Sequence, residues 1–198
     1  MLSNQYEQEL VAQGFDIIAG VDEVGRGPMA GPVVVCALIL PHGLMINGVN
    51  DSKKLSEKKR VQLDAEIKSA AVAYAFGIID VETIDRINIL QATLRAMEMA
   101  VGELTPTPQA VLVDGTTAPD LNCKTVCLPQ GDARSHLIAA ASILAKVKRD
   151  AMMQELDKRY PAYGFGKHKG YGTKQHLLAL EEFGLCPQHR RSFCKKYL

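Results

Sequence analysis

Five apolar runs rich in β-branched residues divide this 198-residue chain, and they constrain its fold more than any other feature. They predict strands at residues 16–21, 32–40, 72–79, 110–114 and 124–128. The first two runs are joined directly, which is typical of an antiparallel pair, whereas the later runs alternate with helical patterns, which favours parallel neighbours. The sequence therefore predicts an α/β fold, a mixed five-stranded sheet flanked by helices.

Apolar residues that recur at steps of three and four predict the helices. One helix follows Ser56, a residue type suited to an N-cap, and a longer one covers residues 87–101. A third helix covers residues 137–160, where a proline comes next, and a shorter one covers residues 173–183. The predicted helices therefore lie between and after the later predicted strands.

The formal net charge of +1 conceals an uneven distribution. Residues 1–129 carry 10 basic and 16 acidic side chains, whereas residues 130–198 carry 13 basic and 6 acidic ones. This split suits a protein whose basic part binds a polyanion while acidic residues elsewhere bind metal ions, although a solvated basic helix face would give the same pattern. We expect one domain over residues 1–198, with a small basic helical portion at about 160–198.

Membrane and secretory features are not expected. The longest apolar run, residues 33–40, is far shorter than the roughly twenty residues that cross a bilayer. The first basic residue is Arg26, so no positively charged start of a signal peptide is present. Five cysteines without a CxxC pair are typical of reduced thiols. We expect a cytoplasmic, membrane-independent monomer.

Acidic residues follow two of the apolar runs. Asp22 and Glu23 lie at the end of the first run, Asp114 ends the fourth, and Asp132 precedes the third helix. α/β sheets commonly place ligands at the carboxyl ends of strands. Each residue also has a purely structural interpretation, a turn for Asp114 and an N-cap for Asp132. Clusters made only of carboxylates select Mg²⁺ or Mn²⁺, and paired ions of this kind typically serve phosphodiester chemistry.

Three further segments suit phosphate binding. Lys53 lies just before a predicted helix N-terminus, whose dipole favours anions, although a solvated cap would look alike. Ser142 and Lys146 are four residues apart on a helix and therefore share one face. Residues 163–172 interleave aromatic, glycine and basic residues, as a nucleic-acid contact requires.

Six motifs in this chain resemble those of the bacterial type 2 ribonuclease H family, ribonuclease HII. They are DEVGRGP at 22–28, NDSKKLS at 50–56, VDG at 113–115, GD at 131–132, AASILAKVKRD at 140–150 and HKGYGT at 168–173. The resemblance is collinear from about residue 17 to Phe193, nearly the whole chain.

The resemblance implies a ribonuclease H-like fold and an endonuclease with Mn²⁺ or Mg²⁺ as cofactor. Its substrates would be the RNA strand of RNA–DNA hybrids and single ribonucleotides embedded in duplex DNA, cut on the 5′ side to leave 3′-hydroxyl and 5′-phosphate ends. The implied catalytic residues are Asp22, Glu23, Asp114 and Asp132, of which the first three bind metal. The implied substrate-binding residues are Gly25, Arg26 and Gly27, which sense the 2′-hydroxyl, and Tyr171, which packs on the neighbouring sugar.

Two functions of other classes remain as alternatives. A non-catalytic module that binds hybrids would have lost an acidic residue, and none of the four is missing. A carboxylate–metal nuclease that acts on DNA alone, such as a resolvase, would have no 2′-hydroxyl to recognise with the loop at Arg26.

Overall fold

A five-stranded sheet forms the centre of the computed structural model, which describes residues 2–198. The strands are β1 (Ile18–Val24), β2 (Val33–Ile39), β3 (Ala73–Ile79), β4 (Ala110–Asp114) and β5 (Lys124–Leu128). Their order across the sheet is β3-β2-β1-β4-β5. β2 is antiparallel to both β1 and β3, whereas β4 is parallel to both β1 and β5. The predicted mixed sheet is confirmed.

Seven α-helices surround the sheet within residues 2–198. They are α1 (Gln5–Ala12), α2 (Glu57–Ala70), α3 (Val81–Ile87), α4 (Ile89–Gly102), α5 (His136–Arg159), α6 (Phe165–His168) and α7 (Lys174–Phe183). Short 3₁₀ helices include Ser52–Lys54 before α2 and Gly131–Ala133 before α5. In this part of the chain no helix is both long and apolar enough to cross a bilayer.

Successive strand residues point to opposite faces of the sheet, so the core has two main layers. On one face α5 and α2 pack against residues such as Leu38 and Leu112. On the other face α4 packs against residues such as Val35 and Val113. A third, smaller cluster joins Met153 of α5 to the helices that follow it. The basic C-terminal portion is thereby fixed to α5, beside the carboxyl end of β1.

Three details differ from the sequence-based expectations. β1 begins two residues and ends three residues later than the predicted strand. The predicted helix at 87–101 is confirmed as α4, but it begins after Asn88, whose φ of 67° ends the separate helix α3 and whose side chain accepts hydrogen bonds from the first turn of α4. Asp132 is not an N-cap, because Ser135 caps α5 by accepting a hydrogen bond from the N–H of Ile138. Ser56 caps α2 as predicted, and Thr173, which was not predicted as a cap, caps α7 in the same way.

Candidate active site

Three carboxylates meet at the carboxyl ends of β1 and β4. The two strands are parallel neighbours that pair Val21 with Val113, so the residues that follow, Asp22 and Asp114, are brought side by side. One oxygen each of Asp22, Glu23 and Asp114 lies within 4.8 Å of the other two. Asp22 is only 4% exposed, so this cluster opens to solvent mainly at its other two members.

The electrostatics of the cluster disfavour three free charges. Burial raises the pKa of Asp22 well above its usual range, and the negative charges of Glu23 and Asp114 raise it further. Burial also raises the pKa of Glu23, to about 7, although the guanidinium of Arg26 opposes the shift. Burial likewise raises the pKa of Asp114. Bound cations would offset this repulsion.

Hydrogen bonds from neighbouring elements hold two of these carboxylates. The N–H of Gly131 donates to Asp114 Oδ1 at 2.6 Å. On the side of α5, a hydrogen bond from Ser142 lowers the pKa of Asp22, and the Ser142 hydroxyl is 2.9 Å from that of Ser52. The ligand atoms available are all carboxylate oxygens, which hard divalent cations such as Mg²⁺ and Mn²⁺ prefer. The residues present therefore fit a divalent-metal site.

The fourth acidic residue, Asp132, lies beside the cluster. It follows Gly131, whose N–H binds Asp114, and its side chain is mostly buried. Lys53 Nζ lies 3.1 Å from Asp132 Oδ2, although the lysine side chain is 79% exposed. The segment before α2 thus reaches the same edge of the sheet as the acidic residues.

The glycine-rich loop after β1 lies next to the loop that carries Tyr171. Gly25 has a φ of 100°, and a side chain there would collide with Arg149, so only glycine fits. A Cβ added to Gly27 would lie 3.7 Å from Tyr171 Cε1, and the tyrosine is 48% exposed. Arg26 lies 3.3 Å from Glu23 Oε1. The sequence motif and the carboxylates are therefore parts of one surface.

Lys146 has a different environment from the other predicted substrate-binding residues. It lies one turn after Ser142 on the same face of α5, as expected, but its ammonium is 2.6 Å from Asp150 Oδ1. Arg60 contacts the second oxygen of that carboxylate at 3.7 Å. The lysine is thus directed into a packed ion-pair cluster, and burial there lowers its pKa.

Sequence reasoning missed the buried arginine Arg149. It is fully buried, and its guanidinium donates hydrogen bonds to the backbone carbonyl oxygens of Ala30, Pro32 and Lys169. A signal was present, because Ala145, Arg149 and Met153 lie at four-residue steps on the apolar face of α5. Because Ala145 and Met153 belong to the apolar face of the helix, the position of Arg149 between them predicts that it is buried as well.

The family model for ribonuclease HII matches residues 19–196. The chain belongs to the ribonuclease HII family. As a ribonuclease HII relative it is a ribonuclease H endonuclease, a hydrolase that acts on RNA in RNA–DNA hybrids and depends on divalent metal ions. The three carboxylates at β1 and β4 provide the acidic cluster that such dependence requires.

Relatives in this family match nearly the whole chain. Ribonuclease HII of Ruminiclostridium cellulolyticum is 52% identical over 193 residues, which are 98% of this chain and 76% of the relative. Ribonuclease HII of Chlamydia caviae is 53% identical over 190 residues, 95% of this chain and 89% of the relative. The crystal structure of ribonuclease H2 from Pyrococcus horikoshii superposes with a TM-score of 0.76 at 25% identity, over 91% of this chain and 96% of that one. The fold is thus the ribonuclease H fold.

Proposed function

We propose that the chain cuts duplex DNA on the 5′ side of a single embedded ribonucleotide, in addition to the RNA strand of hybrids, and leaves 3′-hydroxyl and 5′-phosphate ends. The proximity of the Gly25–Gly27 loop to Tyr171, beside the acidic cluster, carries this proposal. A nucleic-acid backbone that lies across this surface would meet the loop, the ring and the carboxylates together.

Recognition of the ribonucleotide would fall to the backbone of the Gly25–Gly27 loop. Its glycines allow the main chain to approach a sugar closely. A polar site built around a hydroxyl rejects the analogue that lacks it by about 10⁴ to 10⁵ fold, because its buried polar groups are left unpaired. Tyr171 would pack on the following sugar, where a flat deoxyribose fits the ring better than a sugar with an added hydroxyl.

Asp22, Glu23 and Asp114 would hold the divalent ions, Mg²⁺ or Mn²⁺, and Asp132 would complete the acidic site. When bound, such ions activate the attacking water and stabilise the leaving oxygen. Ser142 orients Asp22, and Gly131 orients Asp114 through its N–H.

Lys53 is exposed and would reach a phosphate oxygen by turning away from Asp132, which lies 3.1 Å from its ammonium. Ser142 is only 2% exposed, and its hydroxyl is 2.9 Å from that of Ser52, so it would contact phosphate only if this packing opened. Lys146 would do so only after leaving Asp150, which now holds its ammonium.

Three duplexes of one sequence test the proposal with Mn²⁺ present: DNA with a single ribonucleotide, an RNA–DNA hybrid, and DNA alone. We expect cleavage of the first two and none of the third. Cleavage of the all-DNA duplex at a similar rate would indicate a DNA nuclease instead. Binding of the hybrid without cleavage would indicate a non-catalytic module.

Tyr171 provides a second test of the same proposal. Tyr171→Ala should lower kcat/KM at a single embedded ribonucleotide by about tenfold more than within a long RNA strand, since it removes the ring that packs on the following deoxyribose, and tenfold corresponds to about 1.4 kcal/mol. Tyr171→Phe keeps the ring and should retain most of the activity on both substrates. Equal losses on both substrates for Tyr171→Ala would contradict a role in sensing the junction.

We also propose that the protein works in the cytoplasm. The five cysteines of the chain are all unpaired in the structure. Free thiols are typical of a reducing compartment.

A further inference from the structure

A short segment after α7, residues 188–190, lies directly behind both substrate-sensing loops. The Gln188 carbonyl accepts a hydrogen bond from the N–H of Gly31, and the N–H of Arg190 donates to the Met29 carbonyl at 2.8 Å. His189 is bridged in the antiparallel sense to Ala30. The segment is therefore paired to the chain that links the Gly25–Gly27 loop to β2.

Arg190 holds the first loop from inside. The side chain is 0% exposed, and its guanidinium donates hydrogen bonds of 2.6–3.0 Å to the carbonyl oxygens of Gly25, Arg26 and Gly31. Among the ion pairs within residues 2–198, none includes Arg190. Burying a charge that has no carboxylate partner is costly unless hydrogen bonds compensate for the lost water. The three carbonyl oxygens provide these hydrogen bonds only while the loop keeps its present conformation.

These contacts fix the direction of two free backbone donors. In a trans peptide the N–H points away from the C=O of the preceding residue. With the carbonyls of Gly25 and Arg26 turned towards Arg190, the N–H groups of Arg26 and Gly27 point to the opposite side of the loop. No hydrogen bond within residues 2–198 uses either N–H. The loop thus presents two unpaired donors on its outer side.

His189 holds the second loop through His176. The N–H of Cys186 donates to His189 Nδ1 at 2.9 Å, a shorter contact than the 3.3 Å between Nδ1 and the Cys186 carbonyl, so we place the ring proton of His189 on Nε2. That proton points to His176 Nε2 at 3.0 Å, which leaves the proton of His176 on Nδ1. His176 Nδ1 in turn donates to the Tyr171 carbonyl at 2.9 Å. One consistent set of tautomers therefore connects His189 to the backbone of Tyr171.

We propose that Arg190 and the His189–His176 pair are positioning residues for sugar recognition: Arg190 aims the Gly25–Gly27 loop, and the histidines fix the backbone at Tyr171. The inference rests on the proposed function, in which these loops read the ribonucleotide and the sugar after it. Neighbouring residues of one segment would then set both parts of the specificity without touching the substrate or the metal.

Arg190→Lys tests the first half, because it keeps the charge and loses the forked set of donors. The measurement is the ratio of dissociation constants for all-DNA duplex and for the same duplex with one ribonucleotide, in Ca²⁺ to prevent cleavage. We expect the ratio to fall at least tenfold while affinity for the all-DNA duplex changes less than twofold. Arg191→Lys, the same change at the exposed neighbouring residue, should leave the ratio intact.

His176 tests the second half and stands independently if the Arg190 variants fail to fold. His176→Leu removes the donor to Tyr171, whereas His176→Asn places an amide N–H near the position of Nδ1. We expect the leucine variant to lose fivefold or more in kcat/KM at a single embedded ribonucleotide relative to a long hybrid, and the asparagine variant to recover most of it.

The outcomes separate this inference from the function on which it rests. If the wild type binds ribonucleotide-containing and all-DNA duplexes equally, the proposed function fails and this inference with it. If the wild type discriminates and Arg190→Lys discriminates equally well, only the positioning role of Arg190 is overturned. If each His176 variant changes kcat/KM by the same factor on the single ribonucleotide and on the long hybrid, the role of the histidine pair is overturned.

Discussion

Burial raises the pKa values of Asp22 and Asp114. Negative charge on Glu23 and Asp114 raises the pKa of Asp22 further, whereas at Asp114 the hydrogen bond from Gly131 opposes the shift and the charge of Asp132 adds to it. A carboxyl whose folded-state pKa is raised binds its proton more tightly in the folded chain. Its contribution to stability is present at low pH and is lost as pH rises through the folded-state pKa. For Glu23, with a normal value near 4.5 and a folded value of about 7, the window is between these two limits. The metal-free protein therefore carries unrelieved repulsion at pH 8.

Neutral amides at these positions should remove activity and not stability. Asp22→Asn and Asp114→Asn should each lower turnover by about 10³-fold or more, while binding of the hybrid stays within a few fold. The metal-free Tm at pH 8 should equal or exceed that of the wild type, since one repelling charge is gone. Steady-state kinetics and calorimetry measure the two effects.

The exposed Asp120 provides the matched control for this prediction. Asp120→Asn should change neither turnover nor Tm. An Asp22 or Asp114 variant that is inactive because its metal-free form is unfolded would contradict the assignment of these residues to a metal site.

At the level of single residues, the sequence was informative where a side chain follows a strand. Asp22, Glu23 and Asp114 were predictable because the carboxyl ends of parallel strands share one edge of a sheet. Arg190 was not, because its partners are the carbonyls of residues about 160 positions earlier in the chain. No local pattern records such a contact. The Asp150 partner of Lys146 was four residues away and could have been foreseen.

At the level of elements, long periodic segments were predictable and short ones were not. α5 has 24 residues and a continuous apolar face, whereas α3 has seven residues, two of them buried. α1 was missed because it buries only Leu10 and its other residues are largely polar. The break at Asn88 depends on a single left-handed residue, which periodicity does not detect.

The C-terminal helices depend on neutral histidines. Burial, then the neighbouring His176, lowers the pKa of His189 to about 4 from an ordinary 6.5, and burial also lowers the pKa of His176. For a histidine whose folded-state pKa is lowered, the stabilising contribution is complete above pH 6.5 and is lost as pH falls towards 4. The raised carboxyl pKa values of the acidic cluster have the opposite effect, because they increase the stability of the folded chain as pH falls over much of this window. The contribution of the histidines is therefore measured as the difference in Tm between a histidine variant and the wild type at each pH.

His189→Gln should therefore destabilise the protein more at pH 7 than at pH 4.5. The Tm difference from the wild type should shrink by at least about 2–4 °C over that interval, the shift that about 1 kcal/mol produces in a chain of this size. His42→Gln, at an exposed histidine, should show a constant and small difference. A Tm difference for His189→Gln that does not vary with pH would contradict a neutral, buried His189.

On the scale of the whole molecule, the uneven charge of the sequence has a structural counterpart. The acidic cluster lies on the sheet, and the basic final third forms α5 and the helices fixed to its end. The sequence predicted this division of charge but not which basic residues face the substrate, because that depends on ion pairing. Lys146 is paired internally, whereas Lys174 is exposed at the start of α7, three residues after Tyr171.

Affinity for duplex should accordingly fall steeply with salt, because lysine and arginine contacts release counterions from phosphates. With three or more such contacts, the dissociation constant should rise more than about tenfold between 50 and 200 mM salt. Lys174→Ala should weaken hybrid and ribonucleotide-containing DNA by similar factors and reduce the slope of log K against log salt by about 1, since a phosphate contact carries little sequence information. Lys124→Ala is the control, because Lys124 begins β5 at the opposite end from Leu128, the partner of Asp114. A dissociation constant that does not vary with salt would show that the basic third of the chain does not bind the phosphate backbone. A slope changed equally by both substitutions would contradict a phosphate contact at Lys174.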